Sequence, residues 1–117
     1  YYEEAIKEFY RLKKINPSDV EFLVFCQEED WPKKNIDLAE SNVKYIIGDH
    51  ISAVDDFKEM CNCDHLIMPN SSFSWWAAWL NNNGKKRIIS PKKEEWFGEY
   101  YSHYNMDDLI PNDWEQL

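Results

Sequence analysis

Apolar and polar residues follow one another in blocks that predict a regular succession of helices and strands. Helical spacing of apolar residues from Tyr2 to Leu12 predicts a first helix, which Asn16-Pro17 ends. Compact apolar runs predict four buried strands, at 21–26, 43–47, 65–68 and 87–90. Between these strands, helices are predicted over 31–38, from a Ser52–Asp55 capping box onward, and over the tryptophan-rich run that Asn81–Gly84 ends.

The alternation of helix and strand predicts an α/β fold with a parallel sheet and helices on both faces. A length of 117 residues suits a single domain spanning 1–117. Ligands of such folds bind beyond the carboxyl ends of the strands. The segments Glu28–Asp30, Gly48–His50 and Asn70–Ser74 follow three of these strands and are expected to share one rim. After Pro91 the pattern weakens, and the aromatic residues there are expected to form a tail packed on the domain.

The composition and net charge of the chain disfavour some classes of function. The chain is 44% hydrophobic with a formal net charge of −9, which permits a core and disfavours non-specific binding of nucleic acid. No apolar run is long enough to span a bilayer. The chain opens on Tyr1 rather than Met and already in a helical pattern, so we expect it to be part of a longer protein.

The cysteines and carboxylates do not form a pattern typical of a metal site. Three cysteines are an odd and sparse set, which disfavours a disulfide framework and suits a reducing compartment. The spacing Cys61-x-Cys63-x-His65 is not that of a standard zinc site, and no second ligand pair follows. The acidic run Glu28–Asp30 is more typical of a solvated loop. We therefore expect no metal.

Residues 70–80, Asn-Ser-Ser-Phe-Ser-Trp-Trp-Ala-Ala-Trp-Leu, are the most informative stretch of the chain. They follow the predicted strand at 65–68 and predict a tight loop and a helix whose first turn presents backbone N–H groups, an arrangement that favours a bound phosphate. Ser71, Ser72 and Ser74 add hydroxyl donors. The alternative is an ordinary helix cap that binds nothing. The three tryptophans are expected to be core residues rather than a platform for stacking sugars.

The same stretch is similar to the signature of bacterial α-1,2-fucosyltransferases, glycosyltransferase family 11, and departs from it only at Ala77, where the family has Gly. Other segments resemble that family over nearly the whole chain: the opening Tyr-Tyr-x-x-Ala-Ile, Asp55-Asp56-Phe57-x-x-Met60, Pro91-Lys-Lys93 with Trp96-Phe97, and Ile110-Pro111-x-x-Trp114. The family's His-x-Arg-Arg-x-Asp motif is absent, since Arg11 and Arg87 are the only arginines. The resemblance therefore implies the C-terminal portion of such an enzyme.

This resemblance implies a Rossmann-like, donor-binding lobe of a GT-B-like glycosyltransferase. The expected reaction moves fucose from GDP-fucose to a galactose-type hydroxyl in α-1,2 linkage with inversion, without metal or other cofactor. The acceptor glycan is expected to bind through the absent portion, and the isolated chain is expected to be inactive. No nucleic-acid partner and no transmembrane segment are expected. The expected location is the cytoplasm, with peripheral attachment to the bacterial inner membrane.

The candidate donor-binding residues are Asn70, Ser71, Ser72, Phe73 and Ser74 for the diphosphate and Asp56 for guanine. An Asp suits guanine because N1–H and the exocyclic amine present two parallel donors, although a solvated helix carboxylate is the commoner role. His50 is a further candidate for ribose or phosphate, with a surface-loop histidine as the alternative. No catalytic base is assigned.

Two other functions stay open at this stage. One is a transferase that uses a different nucleotide sugar on the same architecture. The other is a non-catalytic carbohydrate-binding module with an aromatic surface. Burial discriminates them, because exposed Trp75, Trp76 and Trp79 favour sugar stacking, whereas buried tryptophans beneath a free serine loop favour nucleotide binding.

Overall fold

The computed structural model describes residues 1–38, 41–48 and 53–117 of the chain. Their contacts divide the chain into two compact units. The N-terminal unit comprises Tyr2–Glu59, and the C-terminal unit comprises Tyr1 with Met60–Leu117. That residues 1–117 form a single domain stays a prediction.

The N-terminal unit is built from helices and two parallel strands. Helix α1 (Tyr2–Lys13), strand β1 (Glu21–Cys26), helix α2 (Asp30–Asn35), strand β2 (Asn42–Ile47) and helix α3 (Ala53–Asn62) follow in that order, and α3 crosses the boundary between the units. A 3₁₀ turn at Pro17–Asp19 precedes β1. Strands β1 and β2 pair in parallel, from Glu21 opposite Asn42 to Cys26 opposite Ile47. Both strands lie where the apolar runs predict them.

Helix α1 owes its stability to one apolar face and to its terminal charges. Ala5, Ile6 and Phe9 are buried at helical spacing. Glu3 and Glu4 lie in the first turn and basic residues lie in the last, which complements the helix dipole. The ring of Phe9 meets that of Phe22 on β1 edge to face at 6.1 Å, so the helix packs against the strand.

The C-terminal unit contains a three-stranded parallel sheet. Strand β3 (Leu66–Ile67), helix α4 (Ser72–Leu80), strand β4 (Ile88–Ser90) and strand β5 (Glu115–Gln116) follow α3, with 3₁₀ turns at Lys93–Glu95 and Glu99–Tyr101. The order across the sheet is β3-β4-β5. Leu66 lies opposite Ile88, and Ile89 lies opposite Glu115.

The core of the C-terminal unit lies around β4. Ile88, Ile89 and Ser90 are at most 1% exposed, and Met68 is equally buried. The hydroxyl of Tyr1 lies 2.8 Å from the carbonyl oxygen of Met68 and 3.0 Å from that of Ile89, and donates to this pair. The first residue of the chain therefore bridges the middle of β4 and the residue that follows β3.

The prediction of an α/β fold with parallel strands is confirmed. The hydrogen-bonded strands of the described residues form two small sheets rather than one continuous sheet. Strand β5 was not predicted, because Glu115 and Gln116 carry no apolar signal and pair through their backbone alone. Within the described ranges, no helix combines the length and apolar character needed to cross a membrane.

The aromatic tail packs on the unit only in part. Trp96 and Trp114 are buried, as the sequence predicts, and the indole N–H of Trp96 donates to the carbonyl of Pro91 at 3.2 Å. Phe97, Tyr101 and Tyr104 are exposed instead. The segment thus has a buried anchor and an exposed aromatic surface.

We expect Ile89→Ala to lower the free energy of unfolding by about 2–5 kcal/mol, because it leaves a cavity beside the central strand. Leu80→Ala removes the same kind of side chain from a position that is 50% exposed. That control should change the free energy of unfolding by only about 0.5 kcal/mol. Urea unfolding followed by tryptophan fluorescence measures both, and equal losses would contradict the assignment of β4 to the core.

Candidate functional site

A tight turn joins β3 to α4 and places a helix N-terminus directly after a strand. The backbone N–H of Ser71 donates to the carbonyl of Pro69 at 2.8 Å. Ser71 has an extended backbone, and its Oγ accepts the N–H of Ser74 at 3.5 Å. Ser71 is therefore the N-cap of α4, which begins at Ser72.

The N-terminus of α4 has the electrostatic character of an anion site. Ser72 is exposed at the first helical position, where its own helix supplies no acceptor for the backbone N–H. The first turn of α4 holds no acidic residue, although the chain as a whole carries a net charge of −9. The positive end of the helix dipole is therefore not neutralised by carboxylates of the helix itself.

The opposite end of α4 is capped by a lysine that lies beyond the helix. Lys86 Nζ donates to the carbonyl oxygens of Ala78 at 2.9 Å and Asn81 at 2.7 Å. A cation at the helix C-terminus stabilises the dipole and satisfies carbonyls that the helix leaves without partners. Sequence spacing gave no signal for this contact, because Lys86 follows the helix stop at Asn81–Gly84.

Asn70 and Trp75 connect the loop and the helix to the segment that follows β4. Asn70 Nδ2 donates to the carbonyl oxygens of Glu95 and Trp96, at 3.4 Å and 3.3 Å. The indole N–H of Trp75 donates to the carbonyl of Leu109 at 2.7 Å. All three bonds join residues at least 25 positions apart, so local sequence patterns do not reveal them. They make Asn70 and Trp75 positioning residues for the loop.

The buried face of α4 is formed by small residues. Ser74, Ala77 and Ala78 are at most 7% exposed and lie at helical spacing. Ala77, which stands where the resembling family has Gly, is fully buried, so the extra methyl group is accommodated. Because the side chain of Ser74 belongs to this face, it is the least accessible of the three serines.

The prediction that the tryptophans of α4 are core residues is wrong for two of them. Trp76 and Trp79 are each 53% exposed, while Trp75 is half-buried. The rings of Trp75 and Trp79 are stacked, with centroids 5.4 Å apart. The small residues occupy the inner face, so the larger rings lie on the flanks of the helix. For this reason a helix with apolar residues on every face is buried on only one of them.

Asp56 lies in the N-terminal unit, at the carboxyl end of its two strands. It is half-buried on α3, and a β-carbon built on Gly48 would lie 3.6 Å from its Oδ2. Gly48 follows β2, and its N–H donates to the carbonyl of Cys26 at the end of β1. No hydrogen bond or ion pair of Asp56 is found among the described residues. Its neighbour Asp55 is paired with Lys58 at 3.2 Å.

One of the predicted rim segments, Gly48–His50, can be described only at Gly48. His50 and Ser52 lie outside the described residues, so the candidate ribose contact and the capping box have no structural account. In the acidic segment, Glu29 pairs with Lys33 at 2.8 Å, which raises the pKa of that lysine. Glu29 therefore belongs to a surface ion pair of α2.

Two of the three cysteines, Cys26 and Cys61, have thiols with a raised pKa. Burial raises the pKa of the Cys26 thiol, and the carboxylates of Glu29 and Glu28 raise it further. Burial also raises the pKa of Cys61. Thiolates are the metal ligands and nucleophiles, so neither role is favoured at neutral pH. Over the described ranges, no group of three or more His, Cys, Asp and Glu side chains is arranged to hold a metal ion.

The structure brings five candidate residues together, Asn70, Ser71, Ser72, Phe73 and Ser74, at the N-terminus of α4. Within this group Ser72 is the exposed serine, Ser71 is the cap, and Asn70 holds the loop in place. Asp56 belongs to the other unit. The roles of all six residues in binding a donor stay predictions.

Comparison with known proteins identifies relatives over nearly the whole chain. The family model of glycosyl transferase family 11 matches residues 1–112. An O-antigen biosynthesis glycosyltransferase, WbnK, from Escherichia coli is 33% identical over 94% of the chain and 35% of its own length. An alpha-1,2-colitosyltransferase, also from Escherichia coli, is 32% identical over 100% of the chain and 38% of its own length.

A primate relative matches a shorter stretch. Galactoside alpha-(1,2)-fucosyltransferase 1 from Aotus azarae is 32% identical over 68% of the chain and 21% of its own length. The chain thus spans little more than a third of the curated bacterial relatives described above. No solved structure matches the chain.

Proposed function

The chain belongs to glycosyltransferase family 11, and we propose that it forms the donor-binding portion of an enzyme that transfers fucose from GDP-fucose. In this proposal the acceptor is a galactose-type hydroxyl, the new linkage is α-1,2, and the reaction inverts the anomeric centre without a metal. The chain would be part of a Rossmann-like lobe in a GT-B-like enzyme.

The observation that carries the proposal is the N-terminus of α4. It combines an exposed serine at the first helical position, a serine cap and a first turn without carboxylates. In a chain of net charge −9, this end of a helix is a local positive feature to which an anion can bind. The diphosphate of a nucleotide sugar is such an anion, with phosphate oxygens that accept hydrogen bonds.

The proposed role of these donors follows from where negative charge develops during transfer of the sugar. As the bond between fucose and the diphosphate breaks, negative charge grows on the departing phosphate oxygens. Donors already directed at that position stabilise the transition state more than the ground state. In our proposal the hydroxyl and N–H of Ser72 and the N–H of Phe73 serve in this way, while Ser71 holds the helix end. An arginine contact from the family's Arg-Arg motif would strengthen it.

Asp56 is proposed to read the base. Its carboxylate lies at the carboxyl end of β1 and β2, the edge where ligands of parallel α/β sheets bind. A carboxylate has two oxygens with which it can accept from two parallel donors. Guanine presents such a pair and uracil does not.

The proposal that the donor sugar is fucose is more specific than the assignment to the family. The relatives include enzymes named for fucosyl and for colitosyl transfer. A donor lobe that uses another nucleotide sugar is therefore the closest alternative, and it would share the diphosphate site.

A non-catalytic carbohydrate-binding module is the second candidate, and the exposure of Trp76 and Trp79 favours it. One face of Trp79 is already covered by Trp75, which leaves less ring surface for a sugar. The indole N–H resonances of these tryptophans distinguish the two functions. They should shift with free saccharides if the chain is such a module.

The first test is a titration of the chain with GDP followed by amide NMR, with UDP and free fucose as controls. Ser72→Ala should weaken GDP binding by roughly three- to tenfold, because a donor to a charged group is lost. The fold should be unchanged, since Ser71 is the cap. Ser18→Ala, at another exposed serine, is the matched control. Unchanged GDP affinity in the Ser72 variant would contradict the proposed contact.

Asp56→Asn should reduce the preference for GDP over UDP by about tenfold, since an amide presents only one acceptor to the guanine edge. Asp55→Asn makes the same change of charge at the adjacent position, and it should leave the preference intact. Isothermal titration of both variants with GDP and UDP measures the ratio. If both substitutions alter it equally, the effect is one of overall charge and Asp56 does not read the base.

The chain on its own should bind the donor without transferring the sugar, because the His-x-Arg-Arg-x-Asp motif is absent from it. Incubation with GDP-fucose and lactose, analysed by mass spectrometry, tests this expectation. Formation of a fucosylated product by the chain alone would show that its own residues suffice for catalysis.

A further inference from the structure

A concave surface in the C-terminal unit is lined by residues other than those assigned to the donor. It is a cleft of about 610 Å³ between the 3₁₀ turn Glu99–Tyr101 and the loop that follows. Its walls carry the rings of Phe97, Tyr101 and Tyr104. The volume lies within the range of about 300–1,000 Å³ that is typical of pockets for small organic ligands.

Gly98 shapes one wall of this cleft. Its backbone has φ +70° and ψ 177°, a conformation that residues with a side chain rarely adopt. The turn at Gly98 lets Phe97 and Tyr101 meet edge to face, with ring centroids 6.2 Å apart. The aromatic wall is therefore formed by a specific backbone turn and not by a run of solvated side chains.

The cleft combines open aromatic rings with hydrogen-bonding groups. Phe97, Tyr101 and Tyr104 are 44–59% exposed. Asn105 also lines it and is held by its Oδ1, which accepts the N–H of Asp107 at 2.9 Å, so that its amide NH₂ remains a donor. Asp108 supplies a carboxylate for which no partner is found among the described residues.

We propose that this cleft binds a neutral pyranose unit of the acceptor glycan. A pyranose has an apolar C–H face that packs on an aromatic ring and hydroxyl groups that an amide and a carboxylate can bind. The cleft offers both kinds of surface, with polar groups few in number and placed beside the rings. The inference rests on the proposed transferase function and adds that part of the acceptor site lies in this chain.

Two hydrogen bonds connect the cleft to the donor loop. Asn70, in the loop, donates to the carbonyl of Trp96, the residue before Phe97. Trp75, on α4, donates to the carbonyl of Leu109, which also lines the cleft. Both sides of the cleft are thus attached to the element that presents Ser72. The cleft is therefore structurally coupled to the loop that we propose for the diphosphate.

The test is a set of NMR titrations of the complete 117-residue chain with lactose, L-fucose, tetramethylammonium and GDP. We expect lactose to shift the amides of Tyr101, Tyr104 and Asn105. Tyr104→Ala should weaken lactose binding by roughly five- to tenfold and leave GDP binding unchanged. Tyr100→Ala removes an adjacent ring that is 81% exposed and does not line the cleft, and it should retain lactose binding.

The four ligands separate failure of this inference from failure of the proposed function. Absence of lactose-dependent shifts in the cleft, in a chain that binds GDP, would overturn the acceptor assignment alone. Shifts from L-fucose but not lactose would overturn it in favour of the donor sugar, and binding of tetramethylammonium alone would overturn it in favour of a cation site. Absence of GDP binding would count against the donor site whatever lactose does.

Discussion

The close burial of one small-residue face of α4 is the constraint on which the C-terminal unit depends. Ser74, Ala77 and Ala78 leave no room for solvent on that face, so the helix has a defined rotation about its axis. That rotation places Trp76 and Trp79 on the flanks and leaves Ser72 open at the N-terminus. The position of the proposed anion site is thus a consequence of packing.

The same helix organises the segment that follows the sheet. Asn70 and Trp75 donate to backbone carbonyls at two separate points of that segment, and Trp75 also packs against the buried Trp114. A loop held by long-range bonds to its neighbours loses little conformational entropy on binding a ligand. In our account this preorganisation lets a short loop in an acidic chain bind a diphosphate, and it joins that loop to the aromatic cleft.

The sequence predicts the local elements well and the long-range arrangement less well. The apolar runs locate β1 and β2 to within one residue, and the serine cluster predicts the start of α4. Periodicity alone missed the exposure of Trp76, because it does not say which face of an apolar helix is inside. It also missed β5, whose pairing depends on backbone groups that every residue possesses.

In the candidate site, too, the local features can be predicted from the sequence and the long-range contacts cannot. The cap at Ser71 follows from helix-start rules that can be read locally, whereas the open position of Ser72 depends on the packing of α4. The roles of Asn70 and Trp75 depend on carbonyls 25 to 34 positions away, and no short motif encodes such contacts. The cleft depends on a positive φ at Gly98, which a sequence with a glycine permits but does not require.

A crystal structure of the chain with bound GDP tests the central claim most directly. The account predicts that phosphate oxygens lie within hydrogen-bond distance of the hydroxyl and backbone N–H of Ser72. A nucleotide bound elsewhere on the chain, with the N-terminus of α4 left open, would contradict the assignment of this unit as the donor-binding element.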